Sequence, residues 1–177
     1  AFERAASQAP DDARAEEALW RAVVALREAA PKDDEDVRER LAGIAVMFIQ
    51  RFPQSERAGR LVLRGLDAGY LEMDKAIEVL LAVPTDSDLR TAARRQASRL
   101  LYRVYRRSGG SGKAYAAARF VGVADEVLGA ERRTAMSGGS EAARKAAERV
   151  VVVARQIMDA ALSGPSPDPA RAQRAMQ

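Results

Sequence analysis

The feature that most constrains the fold is a long segment, residues 141–162, which contains neither glycine nor proline. It includes four consecutive valines, Val150–Val153, and valine favours strands. The segment is nevertheless rich in Ala, Glu, Arg and Gln, and its length and i, i+3/i+4 apolar spacing predict a helix. The extra valines indicate burial on more than one side. The spacing is carried by Ala143, Ala147, Val150, Ala154, Ile157 and Ala161.

Prolines and glycines divide the rest of the chain into segments with helical apolar spacing, and no segment has the pattern of a strand. The fold class is therefore all-α. The predicted helices cover residues 14–30 (ended by Pro31), 32–52, 55–68 (capped by Ser55 and ended by Gly69), 72–83, about 88–107, about 113–128 and 141–162. We expect a single helical domain over residues 1–162, followed by a Pro-rich linker and short C-terminal tail, 163–177.

Short loops between helices favour antiparallel neighbours, which leaves two architectures: an irregular helical bundle or a stacked α-solenoid of helix pairs. A weak internal similarity bears on this choice. "FPQSERA" at 52–58 and "VPTDSDL" at 83–89 both place Pro and Ser before a helix, about 31 residues apart. This period is close to that of 34-residue helical repeats.

Residues 50–107 resemble a tetratricopeptide-type (TPR-like) repeat, in which Pro-x-Ser precedes one helix, Gly-Tyr marks the turn and Ala-Ile lies in the next helix. The usual Trp-x-x-Leu-Gly-x-x-Tyr pattern is replaced by "RLVLRGLDA". The resemblance implies a helix-pair scaffold for protein contacts. Its matching positions are Pro53, Ser55, Gly69, Tyr70, Ala76, Ile77 and Pro84.

Several kinds of chemistry are excluded or disfavoured. The chain has no cysteine and no histidine, so disulfides, thiolate zinc sites and serine–histidine catalysis are excluded. A carboxylate enzyme stays possible, but the acidic pairs are sequence neighbours that point apart on a helix. The acidic run 33–36 reads as a helix N-terminus and lacks EF-hand spacing. We predict no catalytic residues, metal or cofactor, and no apolar run is long enough for membrane insertion.

The stretch "RSGGSGKAY" at 107–115 resembles a phosphate-binding loop only superficially. The first glycine of that motif would fall at Arg107, and Ala114 stands where a Ser or Thr should bind magnesium. The preceding segment is helical rather than a strand. We therefore expect a connection between helices and no nucleotide.

Charge is concentrated in residues 89–124, which contain nine basic and no acidic residues although the whole chain carries a net charge of only +4. A helical wheel places Arg95, Arg99, Arg103 and Arg106 on one face, with Tyr102 on its flank. The predicted partner-binding residues, which we call the basic face, are Arg95, Arg99, Tyr102, Arg103, Arg106, Arg107 and Lys113.

Three interpretations of the basic face stay open. The first is a solvated surface partly neutralised by acids of the N-terminal helices. The second is a binding site for an acidic protein or peptide, and the third is a nucleic-acid-binding surface. For the last, arginines would meet phosphates and a tyrosine would stack on a base. Tyr102, Tyr105 and Tyr115 are candidate contact anchors on a concave solenoid face. The leading prediction is a non-enzymatic protein–protein interaction module. Because residue 1 is Ala, we expect it to be a segment of a larger protein.

Overall fold

A computed structural model describes residues 12–29, 35–63, 71–163 and 167–177 of the chain. These residues form eight α-helices without a strand, which confirms the all-α prediction. The chain divides into two compact units, residues 1–90 and 91–177, and each is considered by itself. The single domain over residues 1–162 stays a prediction. No helix in the described ranges is long and apolar enough to cross a membrane.

The first unit contains four helices: α1 (Asp12–Ala29), α2 (Glu35–Arg51), α3 (Glu56–Leu63) and α4 (Met73–Ala82). Each packs against the next, α1 on α2, α2 on α3 and α3 on α4. The predicted stops at Pro31 and Gly69, and the last residues predicted for the third helix, lie outside the described residues.

Apolar side chains at helical spacing build the core of the first unit. Phe48 is fully buried, and its ring lies between those of Trp20 and Phe52, with centroids 5.9 and 5.5 Å away. Ser55 precedes α3 as predicted: its Oγ accepts a hydrogen bond from the Arg57 backbone N–H and donates one to Glu16. One cluster of buried core residues comprises Leu19, Ala22, Val23, Ile44, Phe48, Ile49, Ala58 and Val79.

A glycine of α3, Gly59, lies close against the residue that follows α4. A Cβ added to Gly59 would lie 2.5 Å from Cγ2 of Val83, which is itself buried. Because a β-branched side chain has little rotamer freedom, Val83 has no easy way to make room. Glycine at position 59 is therefore what permits this contact.

The second unit contains α5 (Arg90–Arg107, from Thr91 onward), α6 (Gly112–Met136), α7 (Glu141–Leu162) and α8 (Pro169–Met176). The predicted end of this unit's second helix, near residue 128, is wrong. Helix α6 continues past Gly129 through a run of strong helix formers. It ends where Gly138 and Gly139 adopt positive φ values of 66° and 72°. Ser140 then caps α7 by accepting a hydrogen bond from the Ala143 N–H.

Side-chain contacts give the directions of three helices. Arg95 on α5 contacts Glu131 on α6. Further along α5, Tyr102 packs on Phe120, which comes earlier in α6, so these two helices are antiparallel. Arg149 on α7 also binds Glu131, while Tyr102 reaches Asp159 later in α7. Helix α7 therefore runs parallel to α5, and α6 runs antiparallel to both.

The valine run of α7 is helical, as its length and register predict, and the bounds 141–162 are confirmed. The expected burial on several sides is wrong. Val153 is buried, whereas Val151 and Val152 are 58% and 54% exposed. The buried stripe also differs from the predicted one, because it follows Ala143, Ala146, Val153, Ile157, Ala160 and Ala161.

The chain beyond residue 162, expected to be a linker and tail, contains helix α8, which packs on α7. Asp168 caps α8 through the Arg171 N–H, and its own backbone N–H donates to the Ala161 carbonyl at 2.8 Å. Ala172 and Ala175 are buried. The tail is thus part of the second unit.

Candidate binding face on α5

The basic face separates into residues bound within the second unit and residues that are not. Arg99, Arg103 and Arg107 lie four residues apart, about 6 Å per step along the helix, and all three are exposed. None of the three makes an ion pair with any carboxylate of the described residues. We call Arg99, Arg103 and Arg107 the arginine row.

Arg95 belongs to a buried ion cluster instead. Its Nε donates to Oε1 of Glu131, which is fully buried, and Nε of Arg149 donates to Oε2 of the same carboxylate at 2.9 Å. One carboxylate therefore joins α5, α6 and α7. Both arginine side chains stay partly exposed, at 30% and 29%.

Tyr102 and Arg106 share a second carboxylate. The Tyr102 hydroxyl donates to Oδ2 of Asp159 at 2.8 Å, and Nη1 of Arg106 lies 3.5 Å from the same oxygen. The Tyr102 ring also packs on Phe120, with centroids 5.1 Å apart. Burial, followed by the hydrogen bond to Asp159, raises the pKa of Tyr102 above its ordinary value.

Lys113 and the remaining tyrosines mark the end of the face. Nζ of Lys113 lies 5.3 Å from the ring centroid of Tyr105, a cation–π distance. Tyr105 is buried, and its hydroxyl donates to the Asp159 backbone carbonyl, so it is a core residue rather than a contact residue. Tyr115 is exposed. The "RSGGSGKAY" stretch connects α5 to α6, with φ of 51° at Gly110.

The acids bound to these side chains lie on α6 and α7 of the same unit. Arg94, beside the face, follows the same pattern, because its Nε lies 3.4 Å from Glu126 on α6. Ion pairs with these acids therefore neutralise the arginines along one edge of α5. The arginine row lies on the other edge.

An open cleft of about 270 Å³ adjoins the arginine row. It lies where α5, α6 and α7 meet, and its two acidic side chains are both bound to arginines: Glu131 as described, and Glu148 to Arg144 at 2.6 Å. The cleft is lined by Arg95, Ser98, Arg99, Val127, Glu131, Glu148, Arg149, Val152, Val153 and Gln156.

No group of three or more acidic side chains within the described ranges could hold a metal ion. Two residues of the acidic run, Asp33 and Asp34, lie outside those ranges. Asp36, at the start of α2, is exposed.

Two residues that organise the site, Glu131 and Arg149, were not predicted from the sequence. Both lie within the buried stripes of their helices: Glu131 is four residues after Val127 and three after Leu128, and Arg149 is three residues after Ala146. A charged residue inside an apolar stripe indicates a buried partner of opposite charge, since charges are rarely buried unpaired. That signal was available for Arg149. It was lost for Glu131 because the predicted helix ended before it.

Comparison of the chain with models of known protein families finds no match, and neither the curated proteins nor the solved structures contain one.

Proposed function

We propose that this chain is a non-enzymatic protein–protein interaction module that binds an acidic segment of a partner protein along the arginine row. The observation that carries the proposal is the lack of carboxylate partners for Arg99, Arg103 and Arg107 within the described residues. Like charges at i, i+4 on a helix repel one another. An acidic ligand would relieve that repulsion and would be attracted to the row.

The proposal includes a scaffold of TPR-like helix pairs. It is supported by the packing of α3 on α4 and by the seryl hydroxyl before a helix at both similar stretches. Ser55 accepts from the Arg57 N–H, and Ser87 accepts from the Leu89 N–H, at 3.2 and 3.1 Å. Gly69 and Tyr70, which carry the turn of the resemblance, lie outside the described residues.

An acidic protein is favoured over a nucleic acid by the state of the tyrosines. Base stacking needs an accessible aromatic ring. Tyr102 is packed on Phe120 and hydrogen-bonded to Asp159, and Tyr105 is buried. Tyr115 is exposed, but the Arg119 guanidinium lies over its ring at 5.7 Å from the centroid, so little aromatic surface near the row is available for stacking.

The test is the binding of a fluorescent oligoglutamate peptide, measured by anisotropy at increasing salt. Replacing the arginine row by glutamine (R99Q/R103Q/R107Q) should weaken binding at least about tenfold, because each arginine supplies a charge-assisted contact. The matched control is R133Q/R155Q/R174Q, which removes three exposed arginines from α6, α7 and α8 and changes the net charge equally.

Equal weakening by both triple variants would mean that overall charge, not the row, attracts the peptide, and would refute the proposal. Absence of binding at low salt would refute it as well. Tighter binding of single-stranded oligothymidylate than of the peptide, with the same dependence on the row, would replace the acidic protein by a nucleic acid.

A further inference from the structure

We propose that the cleft between α5, α6 and α7 binds the C-terminal carboxylate of a polypeptide whose last side chain is apolar. This goes beyond the binding of an acidic segment along the arginine row, and it stands on a different observation. Guanidinium groups and an apolar wall meet in one open cleft about the size of a single residue.

The basic side of the cleft has unused hydrogen-bond donors. Arg95 and Arg149 each use Nε to bind Glu131, and neither makes another hydrogen bond or ion pair to the rest of the described chain. A guanidinium group has five N–H donors in a planar fork that matches a carboxylate. Four donors per arginine are therefore left, beside those of Arg99.

The charge balance of the cleft favours an anion. Three cationic side chains, Arg95, Arg99 and Arg149, line it, and Glu131 neutralises only one of them. The other lining carboxylate, Glu148, is bound to Arg144. An incoming carboxylate would therefore meet a local excess of positive charge at a place where water is partly excluded.

The arginines that would receive the anion are already held in position. Because Glu131 is fully buried and binds Nε of both Arg95 and Arg149, it fixes the two guanidinium groups before any ligand arrives. Two flexible side chains then lose little further rotamer entropy on binding. This is the arrangement expected of a preformed binding site.

The apolar part of the lining specifies what must accompany the carboxylate. Val127, Val152 and Val153 line it, and Val152 is 54% exposed although it is a valine. A volume of about 270 Å³ is below the range typical of sites for drug-sized ligands, roughly 300–1,000 Å³. A terminal Val, Leu or Ile carries a carboxylate and an apolar side chain on the same carbon. The open side of the cleft lets the preceding residues leave.

The test is a titration of the ¹⁵N-labelled full chain, followed by two-dimensional NMR, with a short peptide ending in leucine. We expect saturable shifts at the amides of α5 and α7 around the cleft. The same peptide with a C-terminal amide should bind at least about tenfold more weakly, because the charge-assisted hydrogen bonds are lost. Equal binding of the acid and amide forms, or no saturable shift at millimolar peptide, would overturn the proposal.

N-acetyl-leucine provides the third probe. Weaker binding of N-acetyl-leucine than of the peptide supports a polypeptide ligand, since the peptide adds contacts along its preceding residues. Equal affinity would overturn that assignment and leave a free apolar carboxylic acid as the ligand. Inorganic phosphate, which brings no apolar group to the valines, should not displace the peptide at equal concentration.

Two pairs of variants locate the site without disturbing the buried cluster. V152E introduces a carboxylate into the cleft, whereas V151E makes the same change at a neighbouring valine of similar exposure that does not line it. R99Q removes a lining arginine, and R103Q removes one outside the cleft. V152E and R99Q should weaken binding of the leucine peptide at least about tenfold, and V151E and R103Q should not.

The same variants separate this proposal from the proposed function. Oligoglutamate binding along the arginine row should fall in both R99Q and R103Q and be preserved in V151E. Leucine-peptide binding that is unaffected by V152E would overturn the cleft proposal while leaving the row intact. If oligoglutamate bound the two arginine triple variants equally, the proposed function would fail, but the results expected for the leucine peptide would be unchanged.

Discussion

Replacing Glu131 by glutamine tests the buried ion cluster that joins α5, α6 and α7. The Glu131 side chain has no solvent exposure, and its two oxygens accept from Arg95 and Arg149. Glutamine has nearly the same shape but only one acceptor. Its amide N–H₂ would face one of the two arginine donors, so one hydrogen bond is lost and two donors meet.

The magnitude follows from the two bonds and the exposure of their donors. A hydrogen bond to a charged group contributes about 1.5–3 kcal/mol, and breaking a fully buried ion pair costs about 3–5 kcal/mol. Arg95 and Arg149 are about 30% exposed and recover part of the loss by hydration. We therefore expect Glu131→Gln to lower the free energy of unfolding by about 2–4 kcal/mol.

Urea denaturation followed by circular dichroism, together with calorimetry, measures this change. A loss of that size should lower the midpoint of thermal unfolding by roughly 4–16 °C for a chain of this length. Glu141→Gln is the control, because that carboxylate also contacts two basic side chains, Arg144 and Lys145, but is exposed. If Glu131→Gln were no more destabilising than Glu141→Gln, the cluster would not hold the three helices together.

Three further outcomes are expected. Gly59→Ala should destabilise by about 1–3 kcal/mol in urea denaturation, because its Cβ overlaps a buried valine, whereas Gly43→Ala in open helix surface should stabilise by about 0.5–1 kcal/mol; equal signs would refute the steric reason. Ser140→Ala should cost about 1 kcal/mol through loss of the α7 cap, and Ser111→Ala, whose side chain makes no capping bond, should cost less by the same assay. The pKa of Tyr102 is raised in the folded state, so the stability contributed by its protonated hydroxyl is present below about pH 10 and is lost as the pH rises through the folded-state pKa. Tyr102→Phe should therefore make the alkaline loss of stability shallower, and an unchanged slope would contradict this.

Helix existence was predictable from the sequence because it depends on local properties. Composition and 3.6-residue spacing predict α7 correctly from residue 141 to 162 despite its four valines. The end of α6 was not predictable in the same way. Gly129 has a helix-breaking tendency of about 1 kcal/mol, which the packing of α6 on α7 overrides.

Which side of a helix is covered depends on neighbours that the local pattern does not name. Val151, Val152 and Val153 have the same side chain, yet only Val153 is buried, and the neighbouring helices leave the other two more than half exposed. The sequence alone gives no basis for separating them. For this reason the cleft beside Val152 was not predicted.

The basic face was predictable as a set of residues but not as a site. The helical wheel places Arg95 and Arg99 on the same side of α5. Only the structure separates them, because Arg95 meets a carboxylate 36 residues further along the chain and Arg99 does not. Long-range pairing of this kind has no signature in the segment that carries the arginines.

The way α8 closes the second unit determines where the chain can be cut. A fragment ending at Leu162 would remove the buried methyl groups of Ala172 and Ala175 and leave the Ala161 carbonyl without the N–H of Asp168. It would also release the Arg132 guanidinium from the Ala175 carbonyl. Expression boundaries for the second unit should therefore include Met176, and an affinity tag at the C-terminus needs a spacer that keeps it clear of this last helix.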